Sequence, residues 1–97
     1  MTKKYKLRQA AINDLRKIGS YTLQNYGINQ RNSYLNGLKD RFELLGENPQ
    51  FGRPRNDVKE GYLCSEYKEH VVFYSYSNHY TEILAVLHKS MLPDQHL

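Results

Sequence analysis

Residues 70–88, "HVVFYSYSNHYTEILAVLH", hold two runs of β-branched and aromatic residues separated by a short polar stretch, Ser77-Asn78-His79. This is the pattern of two strands joined by a tight turn, an antiparallel hairpin. The second run, Ile83–Leu87, is continuously apolar and short, as a single buried strand is. It ends on an ionisable imidazole, His88. Tight-turn geometry sets His70 across from His88 at one end of the two strands. An imidazole in that place is a general acid or base, a metal ligand, a contact for another molecule, or a histidine satisfied by its neighbours. A zinc site needs three or four ligands, and no Cys, Asp or Glu in the segment is spaced to complete one. No metal and no cofactor are expected.

Working outward, "YLCSEY" (62–67) reads as a third strand, and "QFGRPRNDVKEG" (50–61) as a loop rich in Gly, Pro and Asn. Before the loop the period changes. Leu35, Leu38, Phe42 and Leu45 step by helical intervals, as do Ala11, Leu15, Ile18 and Thr22. Helices are expected over residues 9–26 and 29–47. Gly27 would end the first in a left-handed C′ position and Asn29 would cap the second. Asn48-Pro49 stops the second, because proline disfavours helical geometry in the preceding residue. A connection this short makes the two helices an antiparallel hairpin. Residues 4–8 read as a leading strand. The fold class is therefore α+β: an N-terminal strand and a helical hairpin packed on a mainly antiparallel sheet completed by three C-terminal strands. Leu15, Ile18, Leu38, Phe42, Leu45, Val72 and Val86 are the expected core.

Ninety-seven residues make one domain, 1–97, with room for one core and little room for a deep cavity. Function is then expected on a surface or in a shallow groove. Residues 1–55 hold eleven lysines and arginines against four acidic residues, a balance of +7, whereas 56–97 hold three against six, a balance of −3. The basic half suits an acidic partner. Nine tyrosines without a tryptophan add side chains that combine apolar area with a hydroxyl. A lone cysteine, Cys64, fits a reducing compartment. The start "MTKKYKLRQAA" lacks the apolar core of a signal peptide, and no stretch is apolar enough to cross a bilayer. A cytoplasmic protein is expected.

Six pieces in order carry a family resemblance: "LRQAAINDL" with Leu7, Ala11, Asp14 and Leu15; "IGSY" with Ile18 and Tyr21; a second helix with Tyr34, Leu38, Phe42 and Leu45; "NPQFGRP" with Pro49, Gly52 and Arg53; the strands "HVVFY" and "EILAVLH"; and the ending "MLPDQHL". Over essentially its full length the chain resembles the ParE toxins of the RelE/ParE toxin–antitoxin superfamily. Two departures stand out. Arg8-Gln9 replaces the family's Ser-Pro, removing an N-cap hydroxyl and a first-turn proline at a cost of about 1 kcal/mol to the helix start. Leu92 replaces an aspartate near the end.

The resemblance implies inhibition of DNA gyrase through protein binding, as in plasmid-stabilising systems. It also implies neutralisation by a cognate ParD-like antitoxin within a toxin–antitoxin hetero-oligomer. RelE-like relatives are instead ribosome-dependent messenger-RNA endonucleases, whose Tyr-Arg-x-x-Tyr strand places an arginine where this chain has Val71. Valine neither holds phosphate nor moves a proton. No arginine follows His88 and no tyrosine follows Tyr80. No catalytic residue is therefore assigned, and no sequence-specific nucleic-acid binding is expected. The residues expected to contact a partner are Tyr21, Tyr34, Arg53, Arg55, His88, Lys89 and Met91. A RelE-like nuclease and a non-toxic, antitoxin-binding paralogue remain the other two functional classes.

Overall fold

A computed structural model describes residues 4–97. The elements run β1 (Tyr5–Leu7), α1 (Gln9–Tyr26), α2 (Ile28–Glu47), β2 (Arg53–Pro54), β3 (Leu63–Tyr67), β4 (His70–Tyr76) and β5 (Thr81–His88), with short 3-10 turns at Pro49–Phe51 and Pro93–Gln95. The strand order is β1-β5-β4-β3-β2, with β1 parallel to β5 and the remaining pairs antiparallel. The expected α+β layer is the one observed. One strand is additional: β2 lies inside the segment read as loop, because two residues with a proline give no periodicity to detect.

Helix α1 starts at Arg8 without a side-chain cap, as the loss of the cap hydroxyl implies. The helix junction differs from expectation. Gly27 alone joins the helices, at φ 91° and ψ 175°. This positive-φ extended geometry is open to glycine and is not the left-handed helical cap. Asn29 consequently lies within α2, which begins at Ile28, and caps nothing.

The helices cover one face of the sheet. Ala11, Ile18, Leu38, Phe42 and Leu45 meet Val72, Tyr74, Ile83 and Val86 there. Leu15 departs from the expected core. It packs against this cluster but is only half-buried, because it also lines an open seam with Leu7, Leu23 and Leu35. Two polar side chains complete the layer. Thr81 Oγ1 donates to Leu45 O at 3.0 Å, and Asp14 Oδ2 accepts from Val86 N at 3.0 Å. Past Ile83, β5 has no paired neighbour on its β1 side, so the Asp14 carboxylate takes the place of a strand carbonyl.

The other face is apolar as well, with Cys64, Phe73, Leu84, Ala85 and Leu87 buried and the Arg55 guanidinium over the Phe73 ring at 5.6 Å. A bulge governs which residues of β5 face which side. Tyr74 pairs with Ile83 and Phe73 with Ala85, leaving Leu84 as the extra residue. Leu84 and Ala85 therefore both face away from the helices, and Val86 and His88 return to the helical side. His70 pairs with His88, as the turn geometry implies.

Candidate functional site

The return of His88 to the helical face builds a groove of about 710 Å³ between the joined ends of α1 and α2, on either side of Gly27, and the β3–β4 turn. Tyr21 and Tyr26 from α1 and Tyr34 from α2 form its walls, and His70 and His88 its strand side. The Tyr21 and Tyr26 rings stand edge to face at 6.5 Å, both well exposed. Tyr34 is buried, with its ring edge-on to His70 at 5.5 Å, and the two imidazoles are also 5.5 Å apart at 85°.

The hydrogen bonds assign the tautomers. Tyr34 Oη accepts from Glu69 N at 3.3 Å and lies 2.7 Å from His70 Nδ1, against 3.5 Å from Tyr67 O. At 2.7 Å the contact with His70 has the length of a bond from an O–H donor, shorter than N–H donors usually make, and 3.5 Å to Tyr67 O is too long to compete. Tyr34 is therefore assigned as donor to His70 Nδ1, with the ring proton of His70 on Nε2. His88 Nδ1 accepts from Ser90 N at 3.1 Å and lies 2.8 Å from Ser90 Oγ, which puts its proton on Nε2 too. Burial pushes the Tyr34 phenol above its ordinary value. Burial, followed by the neighbouring His88, pushes the His70 imidazole below its ordinary value, with Glu69 opposing.

That depression gives a pH prediction. A histidine whose folded pKa lies below its unfolded value near 6.5 contributes stability that is complete above pH 6.5. The contribution is lost as pH falls through 6.5 toward the folded value, because the unfolded chain then binds the proton more readily. Urea unfolding between pH 7.5 and 5 should show falling stability over this window. His70→Gln, whose amide oxygen can accept from Tyr34, should flatten that part of the profile. An equally steep profile in the variant would assign the effect elsewhere.

Of the residues expected to contact a partner, Tyr21, Tyr34 and His88 share the groove. Lys89 and Met91 border it. Lys89 donates its backbone N–H to Glu69 O at 3.0 Å and pairs with the Glu69 carboxylate at 3.5 Å. Met91 is exposed just beyond, with its N–H on His88 O at 2.8 Å. Arg53 and Arg55 lie at the opposite sheet edge. Arg53 is exposed and pairs with Glu66 at 3.0 Å. Arg55 donates to both Asp57 oxygens, at 2.9 and 3.0 Å, while covering Phe73. That pairing raises its pKa further and holds the Asp57 carboxyl below its usual range. His70, Tyr26 and Lys68 also belong to the groove and were not assigned from the sequence. The hairpin register carried a signal for His70 alone.

Among the described residues, no cluster of three or more His, Cys, Asp and Glu is placed to hold a metal ion. None of their helices is long and apolar enough to cross a membrane.

The profile of a family described as "ParE toxin of type II toxin-antitoxin system, parDE" matches residues 5–93. The chain belongs to the ParE toxin family. Toxin ParE1 of Caulobacter vibrioides is 36% identical over 95 residues, covering 98% of each chain. Toxin ParE1 of Mycobacterium tuberculosis is 30% identical over 98 residues, covering the whole of both. A solved structure, "Chromosomal ParDE TA system from P. aeruginosa", superposes with a TM-score of 0.76, covering 88% of this chain and 94% of that one. At 16% identity that likeness is one of fold. The chain is a ParE-type toxin of a type II toxin–antitoxin system.

Proposed function

We propose that this ParE-type toxin acts in the cytoplasm by binding DNA gyrase rather than by catalysis, and that a ParD-like antitoxin neutralises it in a hetero-oligomer. The observation that carries the non-catalytic reading is the placement of Val71. It packs with the apolar layer on the sheet face away from the helices, opposite to the histidines. Where the RelE-like pattern has an arginine, this chain has an apolar side chain packed among apolar neighbours. In-line cleavage of RNA needs cations on the developing phosphorane as well as an acid and a base. Among the described residues lining the groove, Lys68 is the only lysine or arginine. The ParE-family match supports an antitoxin partner, and the ground for gyrase as the target is the family resemblance of the sequence.

The deciding assay incubates the purified toxin with gyrase and supercoiled plasmid, and separately with translating ribosomes. Inhibited supercoiling or trapped linear plasmid, with messenger RNA intact, is the expected result. Cut messenger RNA with unaffected supercoiling overturns the proposal. His88→Gln should leave inhibition within severalfold of wild type, whereas loss of a general acid or base costs about 10²–10⁴-fold. Arg53→Ala with Arg55→Ala should weaken inhibition only modestly, since both guanidinium groups are already paired within the chain. The antitoxin should bind with a nanomolar or tighter dissociation constant, about −12 kcal/mol. Micromolar affinity by titration calorimetry would count against it.

A further inference from the structure

Among the described residues, two imidazole N–H groups without a hydrogen-bond partner and one ammonium group without a carboxylate partner open onto the groove. With both Nδ1 atoms engaged by Tyr34 and by Ser90, His70 and His88 each carry the ring proton on Nε2. Neither Nε2 has a hydrogen-bond partner within the described residues. No buried side-chain nitrogen among them is left without one, so both Nε2–H groups reach the open groove. Lys68 stands at the lip, with its ammonium 5.8 Å from the Tyr34 ring centre and 5.4 Å from that of Tyr67. Its φ of 52° makes it the only non-glycine among the described residues at positive φ. That is the geometry a two-residue hairpin turn requires at its first position, here between Tyr67 and His70. No described carboxylate pairs with Lys68, whereas Glu69, the acidic residue of the groove, is paired with Lys89. The groove thus offers one net positive charge and two neutral N–H donors beside the exposed rings of Tyr21 and Tyr26.

We propose that this groove is a carboxylate-recognition site. It takes one aspartate or glutamate side chain of an acidic peptide, whose neighbouring apolar side chains rest on Tyr21 and Tyr26. The identity of the peptide rests on the antitoxin reading above, the neutralising segment being its source. A single carboxylate matches Lys68, with which no carboxylate among the described residues pairs. A nucleic-acid strand brings a charge with every nucleotide and needs a row of cations, whereas Lys68 is the only lysine or arginine among the described residues lining the groove.

Binding is coupled to protons. A carboxylate beside His70 and His88 favours their charged forms. The groups facing them are Tyr21 and Tyr26 from α1, Tyr34 from α2, Tyr67 from β3, and Lys68, Glu69 and Lys89 around the strand ends. Among these side-chain types, imidazole is the one whose ordinary range lies nearest neutral pH. Affinity for the carboxylate should therefore rise as pH falls from 8 to 6, by at most tenfold per unit for each proton taken up.

The test uses the full chain and follows the imidazole Cε1–H signals of His70 and His88 by NMR. The probes are acetyl-Leu-Glu-Leu-amide, its Gln counterpart, inorganic phosphate and a uridine pentanucleotide. The Glu peptide should shift both histidines, more strongly at pH 6 than at pH 8, and the Gln peptide should not. Lys68→Asn keeps a residue tolerant of this backbone and removes the charge. It should weaken peptide binding, and raise the dissociation constant of the antitoxin, by about tenfold. Equal shifts from the Glu and Gln peptides overturn the proposal. So do shifts at lower concentration from phosphate or the pentanucleotide. Unchanged antitoxin affinity in Lys68→Asn, with nanomolar wild-type binding, removes the site while the antitoxin reading stands. If the wild-type toxin does not bind the antitoxin, that reading fails, and the peptide shifts alone decide the groove.

Discussion

Phe42→Ala should destabilise the toxin by about 3–5 kcal/mol, a large part of the stability of a domain this size. The ring is 2% exposed and sits centrally between α2 and the sheet, tilted against Tyr5 at 5.9 Å. Its removal leaves a cavity walled by two rigid layers, the helical hairpin and the sheet. Neither can collapse inward without breaking its own hydrogen bonds, so the cavity contribution adds to the lost burial. Denaturant unfolding should show the midpoint falling sharply with an unchanged slope. A loss under about 1 kcal/mol would mean that the helices do not pack on the sheet as described.

Gly52→Ala should cost about 3 kcal/mol or more, for a different reason. The backbone of Gly52, at φ −76° and ψ −176°, is open to any residue. The space is not. A Cβ there would collide with the carbonyl of Cys64 and lie 2.5 Å from Tyr74 Oη. Neither neighbour can move away cheaply. Cys64 is fixed in the ladder between β2 and β3, and Tyr74 is fully buried. The same hydroxyl accepts from Gly52 N at 2.9 Å and donates to Pro49 O at 2.7 Å. A methyl group therefore forces the 49–54 segment off the sheet, leaving buried polar groups unpaired in addition to the steric strain. Tyr74→Phe isolates the polar part and should cost about 1–3 kcal/mol. If Gly52→Ala proved milder than Tyr74→Phe, the close approach of this segment to the sheet would be disproved.

The Pro49, Gly52 and Arg53 motif was legible in the sequence as a resemblance, yet its physical meaning lay in Tyr74, twenty-two positions beyond Gly52. The same holds for Asp14. It reads as one polar residue of an amphipathic helix, and its partner is the backbone N–H of Val86. The helix spacings placed Ile18, Leu38, Phe42 and Leu45 inside without any tertiary information, because period and burial are the same signal on a helix covering a sheet. Leu15 shows the limit of that signal. It lies on the correct face, yet at an open seam that leaves it half-exposed.

Local periodicity, turn residues and short motifs were enough for the order of the main elements, the helical hairpin, the antiparallel pairing of β4 with β5 and the family. The groove needed the packed layers. The run Ile83–Leu87 is apolar without interruption because both faces of β5 are covered, so it carries no alternation to say which residue points where. The bulge at Leu84 sets that phase. With a regular strand, His88 would face away from the helices. One extra residue turns it to the helical side, where β4 presents His70 and α2 presents Tyr34. A bulge is fixed by how the strand fits between its two neighbours and two packed layers, and no single residue in the run declares it.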